Sequence, residues 1–203
     1  MSTARAPDIE TPRLVLVAWS LPVVDAMIAG DAALLSRSLD VSFPQPFRPP
    51  PGIDDALQFF RGRYADDPDA GGWPDRLILR REDRMVVGSA GIFAPGAEDG
   101  ACALGYGVYP EFEGRGYASE AAAALVAWAF GHRHAASAVA AILPANIASQ
   151  RVAAKAGLTF TGRTAVEDEG EMQVWERIRP DQALAILQSG EDGPDKSPPG
   201  VWR

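Results

Sequence analysis

The sequence predicts a mixed α+β domain built on one sheet of about seven strands, mostly antiparallel with one parallel pair, flanked by helices. Three observations carry this. Apolar segments of strand length dominate residues 76–109, and the polar turn Glu82-Asp-Arg84 and the turn-rich gap at 94–100 separate them into an antiparallel meander. A Gly-containing loop at 110–116 leads into a sustained helical pattern and then a short apolar strand, which is the order of a single crossover to a parallel neighbour. Two further strands around an acidic turn close the pattern.

Taken in order, residues 13–19 are Val/Leu-rich and follow Pro12, so they read as a first strand. Pro22 falls in a first helical turn, where its missing N–H costs nothing, and that helix runs through Ala29. Asp31 suits the cap of a second helix ending near Leu39. Residues 44–52, Pro-Gln-Pro-Phe-Arg-Pro-Pro-Pro-Gly, exclude helix and central strand and read as a stiff surface loop, with an SH3-type ligand as the alternative. Apolar residues at 53, 56, 57, 60 and 64 have helical spacing, and 66–74 is a loop. Strands follow at 76–81, 85–93 and 101–109, the last small and apolar on both faces, as in a central strand. Residues 117–130 form a helix, 136–143 a buried strand, 146–156 a helix, and 158–166 with 172–178 a closing hairpin. Residues 181–188 add a terminal helix. The domain is expected to span 1–189, and 190–203, rich in Gly, Pro and acids, reads as a loose tail.

Composition bounds the function. Of 203 residues, 47% are hydrophobic and 23% charged, enough for a sizeable core. The formal net charge of −8 argues against nucleic acid, which demands clustered Lys and Arg, and suits a cationic small molecule or basic segment. No stretch approaches the roughly 20 apolar residues of a membrane helix, and 14–19 lacks a cleavage-site pattern, so a cytoplasmic address with no membrane partner is expected. The one cysteine, Cys102, excludes an internal disulfide framework and Cys-rich zinc sites, and among small residues it reads as buried and inert. His132 and His134 near a helix end suit the C-terminal dipole better than a metal, so no metal is expected.

The most informative stretch runs from Leu104 to Glu120: strand, Gly-rich turn, helix start. Gly114 and Gly116 permit positive φ, and the free N–H groups of the helix N-terminus favour an anion such as a diphosphate. The same glycines also suit a plain strand–helix turn. No Gly-Lys-Ser/Thr follows, which excludes a nucleotide P-loop, and no third Gly completes a dinucleotide fingerprint.

Glu113-Gly-Arg-Gly-Tyr-Ala118 resembles the phosphate loop Gln/Arg-x-x-Gly-x-Gly/Ala of the GNAT superfamily of acyl-CoA-dependent N-acyltransferases, with Glu113 in place of Gln/Arg. Residues 146–158, Asn-Ile-Ala-Ser-Gln-Arg-Val-Ala-Ala-Lys-Ala-Gly-Leu, are similar to the family's Asn-x-x-Ser-x-x-Val-x-x-Lys-x-Gly-Phe segment, with Leu158 for Phe. Residues 10–16, Glu-Thr-Pro-Arg-Leu-Val-Leu, are similar to the start of the branch that holds the ribosomal-protein N-terminal acetyltransferases. Together they span about residues 9–180.

The resemblance implies a GNAT-like sheet whose parallel strands splay, with acetyl-CoA as co-substrate and an amine as acceptor. Backbone groups of Gly107 and Val108 would pair with pantetheine, and amides of Gly114, Arg115, Gly116, Tyr117, Ala118 and Ser119 would hold the diphosphate. Asn146 would contact the pantetheine arm, while Ser149, one turn on, would donate to the departing thiolate; Asn146 equally reads as a plain N-cap. Phe47, Tyr64 and Trp73 lie in the segment that covers the acceptor side in relatives. Many relatives carry Glu two residues before the Gly-Tyr pair; here that position is Ala103, so the most obvious base is missing and Glu98 or Asp99 are candidate replacements. Tyr106 and Tyr109 read as sheet packing. The expected function is acetyl transfer to a protein N-terminal α-amine or a small amine, with a non-catalytic acyl-CoA sensor as the alternative. A homodimer is compatible with the sequence.

Overall fold

The computed structural model describes residues 6–54, 56–68, 75–93, 100–132, 135–166 and 170–182. In chain order the elements are β1 (Ile9–Glu10), β2 (Leu14–Ala18), α1 (Leu21–Ile28), α2 (Ala32–Leu39), α3 (Leu57–Asp66), β3 (Arg76–Arg80), β4 (Val86–Phe93), β5 (Ala101–Val108), α4 (Tyr117–His132), β6 (Ser137–Ile142), α5 (Ile147–Lys155), β7 (Thr159–Val166) and β8 (Gly170–Ile178). A 3-10 turn, Pro110–Phe112, precedes α4. The eight strands form one mixed sheet in the order β1-β2-β3-β4-β5-β6-β8-β7, with β5 and β6 the parallel pair. The extra strand relative to the expected seven is β1, whose two residues are too few to leave a periodic signal. The expected tail at 190–203 and most of the 181–188 helix lie outside the described residues.

By contacts the chain groups into two compact units: residues up to Gly91 with Tyr106–Ala121, and Ile92–Gly105 with residues from Ala122 onward. In the first unit β2 pairs antiparallel with both β1 and β3. Leu14, Leu16, Leu77, Ile78 and Leu79 are completely buried, so β2 and β3 carry near-continuous apolar runs instead of alternation. Pro22 occupies the first turn of α1, and Asp31 caps α2 by accepting the Leu34 N–H at 2.8 Å. The helix expected from residue 53 starts only at Leu57, because Ala56 donates to the Ile53 carbonyl in a separate turn.

β3 and β4 form the expected hairpin, with a register shift in which Ile78 pairs with Gly88 and Leu79 with Val86. Here backbones meet without side chains. A β-carbon on Gly88 would lie 2.1 Å from the Gly107 carbonyl oxygen, and one on Gly107 would lie 2.3 Å from the Pro51 carbonyl oxygen. The obstructing atoms are backbone, so neither neighbour yields cheaply.

In the second unit, β6 pairs parallel with β5 through Ala101–Ala103 against Ser137–Val139, and antiparallel with β8 from Ser137 to Ile142. The β5–β6 ladder has three register pairs although β5 has eight residues. Ala122, Leu125, Val126 and Ala129 of α4 are buried at i, i+3, i+4 and i+7. Asn146 caps α5, and Arg177 donates from Nη1 to the Ala156 carbonyl at its far end, 3.0 Å away.

Gly88→Ala should therefore cost at least about 3 kcal/mol in urea unfolding or prevent folding. Gly62→Ala, on α3 with nothing within 4 Å of the added carbon, should stabilise by about 0.5–1 kcal/mol. Equal tolerance at both positions would contradict the backbone contact at Gly88.

Candidate functional site

The glycine loop leads into α4 through two left-handed glycines. Glu113 is extended, Gly114 has φ +72° and Gly116 φ +80°, and α4 begins at Tyr117. A β-carbon at Gly114 meets nothing within 4 Å, so its glycine answers to the left-handed backbone and not to crowding. The first intrahelical bond runs from the Glu120 N–H to the Gly116 carbonyl at 3.1 Å. The amides of Tyr117, Ala118 and Ser119 precede it and are the donors that a helix start leaves over.

A group absent from the sequence reading holds this loop. The Arg13 guanidinium donates from Nε to Glu120 Oε2 at 2.7 Å and from Nη1 to the Arg115 carbonyl at 3.0 Å, and it lies over the Tyr117 ring. Glu120 Oε1 also accepts from the Thr11 hydroxyl and the Arg13 amide. Burial raises the Glu120 pKa, but these hydrogen bonds and the Arg13 charge outweigh it and leave the carboxyl below its ordinary value. The partners are 107 residues apart, so no local spacing announces them. The Thr-Pro-Arg segment was legible only as a likeness.

The Pro-rich segment lies against the end of β5. The Tyr109 hydroxyl donates to the Arg48 carbonyl at 2.6 Å, Arg48 pairs with both Glu111 oxygens at 2.8 and 2.9 Å, and Pro51 covers Gly107. Phe47 is half-buried, edge-on to Phe43 at 5.1 Å. Gly107 and Val108 are half-buried at the end of β5 in this same unit. Tyr109 is completely buried, and burial pushes its hydroxyl well above the usual range, as suits packing and not acid chemistry.

Tyr64 is not where an acceptor contact was expected. It is completely buried, its hydroxyl accepts the Asp75 N–H at 2.9 Å, and it donates to Asp75 Oδ2 at 3.3 Å. Its helical spacing with Phe60 and Leu57 turns the ring into the core, so no acceptor can reach it. Asp75 also accepts from Arg63 Nη1 at 2.9 Å. Trp73, Glu98, Asp99 and His134 lie outside the described residues.

In the second unit, Asn146 Oδ1 accepts the Ser149 N–H at 2.9 Å, so Asn146 does cap α5. Its own side chain is exposed and Ser149 is half-buried beside it. Ala103 is completely buried and brings no acid. Cys102 is likewise buried, burial pushing its thiol up to about 12, as expected of an inert cysteine. Among the described residues no cluster of three or more His, Cys, Asp or Glu side chains could hold a metal, and no helix is long and apolar enough to cross a membrane.

Residues 13–159 match the model of a family described as acetyltransferase (GNAT) domain. The uncharacterised N-acetyltransferase YjdG of Bacillus subtilis (strain 168) is 24% identical over 158 residues, which cover 77% of this chain and 92% of that protein. Among solved structures, the ribosomal-protein-S5-alanine acetyltransferase from Vibrio fischeri aligns with a TM-score of 0.63 at 15% identity, covering 87% of this chain and 99% of the other. RimL, a ribosomal L7/L12 α-N-protein acetyltransferase in complex with coenzyme A, aligns at 0.61 with 18% identity, covering 85% and 98%.

The trio of Arg63, Tyr64 and Asp75 gives a pH test. Burial pushes the Asp75 carboxyl up to about 6, against the opposing pull of Arg63 and the Tyr64 hydroxyl. The folded value exceeds the unfolded one of about 3.9, so the associated stability is present below pH 4 and is lost as pH rises through about 6. Unfolding free energies of wild type minus Asp75→Asn should fall by about 2 kcal/mol between pH 4 and 7. A flat difference would show that the carboxyl is ionised throughout.

Proposed function

The chain belongs to the GNAT family of acetyltransferases, which draw the acetyl group from acetyl-CoA, and on that premise we propose that it acetylates a primary amine by direct attack in a ternary complex. The observation that carries the reading is the loop of two positive-φ glycines opening onto the leftover amides of α4. Its residues fit a diphosphate: a β-carbon at Gly114 would meet nothing within 4 Å, so the loop is open at that point, and Arg115 brings a positive charge.

Amides from Gly114 to Ser119, including those of Arg115, Gly116, Tyr117 and Ala118, hold the diphosphate in this reading, and backbone groups of Gly107 and Val108 pair with the pantetheine arm. Acetyl-CoA would supply an activated thioester whose leaving group is the coenzyme A thiolate. The exposed Asn146 amide, free to donate while its oxygen caps α5, binds the arm; the Ser149 hydroxyl gives a proton to the sulfur. Phe47 and Trp73 are assigned to the acceptor side.

The acceptor class follows from Ala103. With no carboxylate there, the amine must arrive largely neutral. An α-amine, with a pKa of about 7.7–8.0, meets that condition near neutral pH, whereas a lysine side chain at about 10.4 does not. We therefore favour a protein N-terminus or another low-pKa amine, and the names of RimL and of the Vibrio fischeri enzyme, which specify an α-N-protein and a ribosomal-protein alanine, support that choice. The same alanine favours one rival, a sensor that binds acyl-CoA without turnover.

In thermal-shift titrations with acetyl-CoA, wild type should be stabilised and Gly114→Asp should not, while Gly114→Asn, which matches its shape and tolerates left-handed backbone, should retain most of the shift. Loss in both variants would indict the backbone instead of charge, and no shift in wild type would defeat the loop assignment. With an amine panel, kcat/KM should rise along each acceptor's own pKa, and Ser149→Ala should lower kcat roughly 10–100-fold at unchanged acetyl-CoA Kd. Binding without turnover of any amine would establish the sensor.

A further inference from the structure

We infer that Arg13 is a positioning residue for coenzyme A: its guanidinium, aimed by Glu120, holds the Arg115 carbonyl so that the Gly116 amide faces the diphosphate. This rests on the reading of residues 114–119 as the diphosphate loop.

The argument begins with the peptide plane. The Arg115–Gly116 peptide is trans, so its carbonyl and N–H point in opposite directions. Arg13 Nη1 anchors the carbonyl at 3.0 Å, which turns the Gly116 N–H away from Arg13. The plane lies between the 3-10 turn and α4, with positive φ at Gly116, so no helix or strand ladder fixes it and the guanidinium supplies the constraint that secondary structure lacks.

Arg13 is itself aimed from three sides. Glu120 Oε2 takes its Nε at 2.7 Å, Glu120 Oε1 takes its backbone N–H at 2.9 Å, and its guanidinium carbon lies 5.1 Å from the Tyr117 ring centre. Nη2 lies 3.4 Å from where a β-carbon on Gly116 would stand, so the guanidinium rests against this glycine, whose own requirement is its positive φ of 80°. Glu120 sits in the first turn of α4, and one arginine thereby ties the last turn of the loop, the start of the helix and the entry to β2 into one unit. The position where the family pattern carries Gln or Arg holds Glu113, so the loop brings no basic side chain of its own at its first residue.

The arrangement separates binding from stability. Half of the Arg13 side chain is exposed, and an ion pair with an exposed member adds little to folding. An undirected Gly116 amide costs the ligand a charge-assisted hydrogen bond.

The test is calorimetric titration of coenzyme A at 25 °C into wild type, Arg13→Ala, Arg13→Lys, Glu120→Gln and the double variant Arg13→Ala/Glu120→Gln, with the ligand-free Tm of each. Arg13→Ala should weaken Kd about tenfold with a Tm shift of a few degrees at most. Arg13→Lys, which keeps the charge but cannot reach both acceptors, should fall between it and wild type. Glu120→Gln should weaken Kd as well, and the double variant should bind no worse than Arg13→Ala, because the two act as one device. Folded Arg13→Ala binding within about twofold of wild type overturns the inference, as does additivity in the double variant. If Arg13→Ala does not fold, Arg13→Lys decides on the same twofold criterion. Wild type that fails to bind coenzyme A, or Gly114→Asp that binds it normally, defeats the loop reading itself, an outcome distinct from a silent Arg13.

Discussion

Backbone packed directly on backbone is the constraint on which the first unit depends. At Gly88, Gly107 and Pro51, β4, the end of β5 and the Pro-rich segment approach to distances that forbid a β-carbon. The register shift of β4 against β3 brings Gly88 to this point, and the Tyr109 N–H closes on the Val87 carbonyl beside it. Within this unit, the stretch from Tyr109 to Ala121 leaves from a place fixed by these contacts. A strand end held by side chains would tolerate repacking; one held by main chain does not. The 3-10 turn, the glycine loop and the start of α4 inherit that placement.

The second layer of control is electrostatic and works over the loop alone. Glu120 is mostly buried and accepts three hydrogen bonds, while Arg13 remains half-exposed. Such a pair contributes about 0–1 kcal/mol to folding in the exposed limit, too little to explain itself as a stabiliser. Its geometry is what it contributes, since a planar guanidinium fixes two acceptors at once. The same economy appears at Arg48, which pairs with Glu111 through its side chain while its carbonyl receives Tyr109.

The third element is the trio of half-buried Arg63 with buried Tyr64 and Asp75. Here the carboxyl is deep enough that desolvation wins over an adjacent guanidinium. The trio joins α3 to the start of β3, and the Trp19 N–H closes on the Asp75 carbonyl at 2.7 Å, so a polar network seals the junction of three elements. It belongs to the framework of the unit and not to its chemistry.

Periodicity and punctuation in the sequence determined which segments are helix and strand, because Pro22, Asp31, Asn146 and the glycines act through their own dihedrals and caps. The glycine loop was legible for the same reason, since positive φ at Gly114 and Gly116 is a property of those residues. Two-residue β1 was not legible, because pairing with β2 creates it and no pattern of its own does. Tyr64 shows the limit from the other side: its spacing with Leu57 and Phe60 made it part of one helix face, but that its hydroxyl would meet Asp75, 11 residues away, was set by the fold. The Arg13–Glu120 clamp, across 107 residues, was decided entirely by tertiary structure. Local chemistry sets dihedrals and therefore shows in sequence. Which charges meet, and which carbonyl they hold, depends on where the folded backbone brings distant residues together, and spacing along the chain carries no record of that distance.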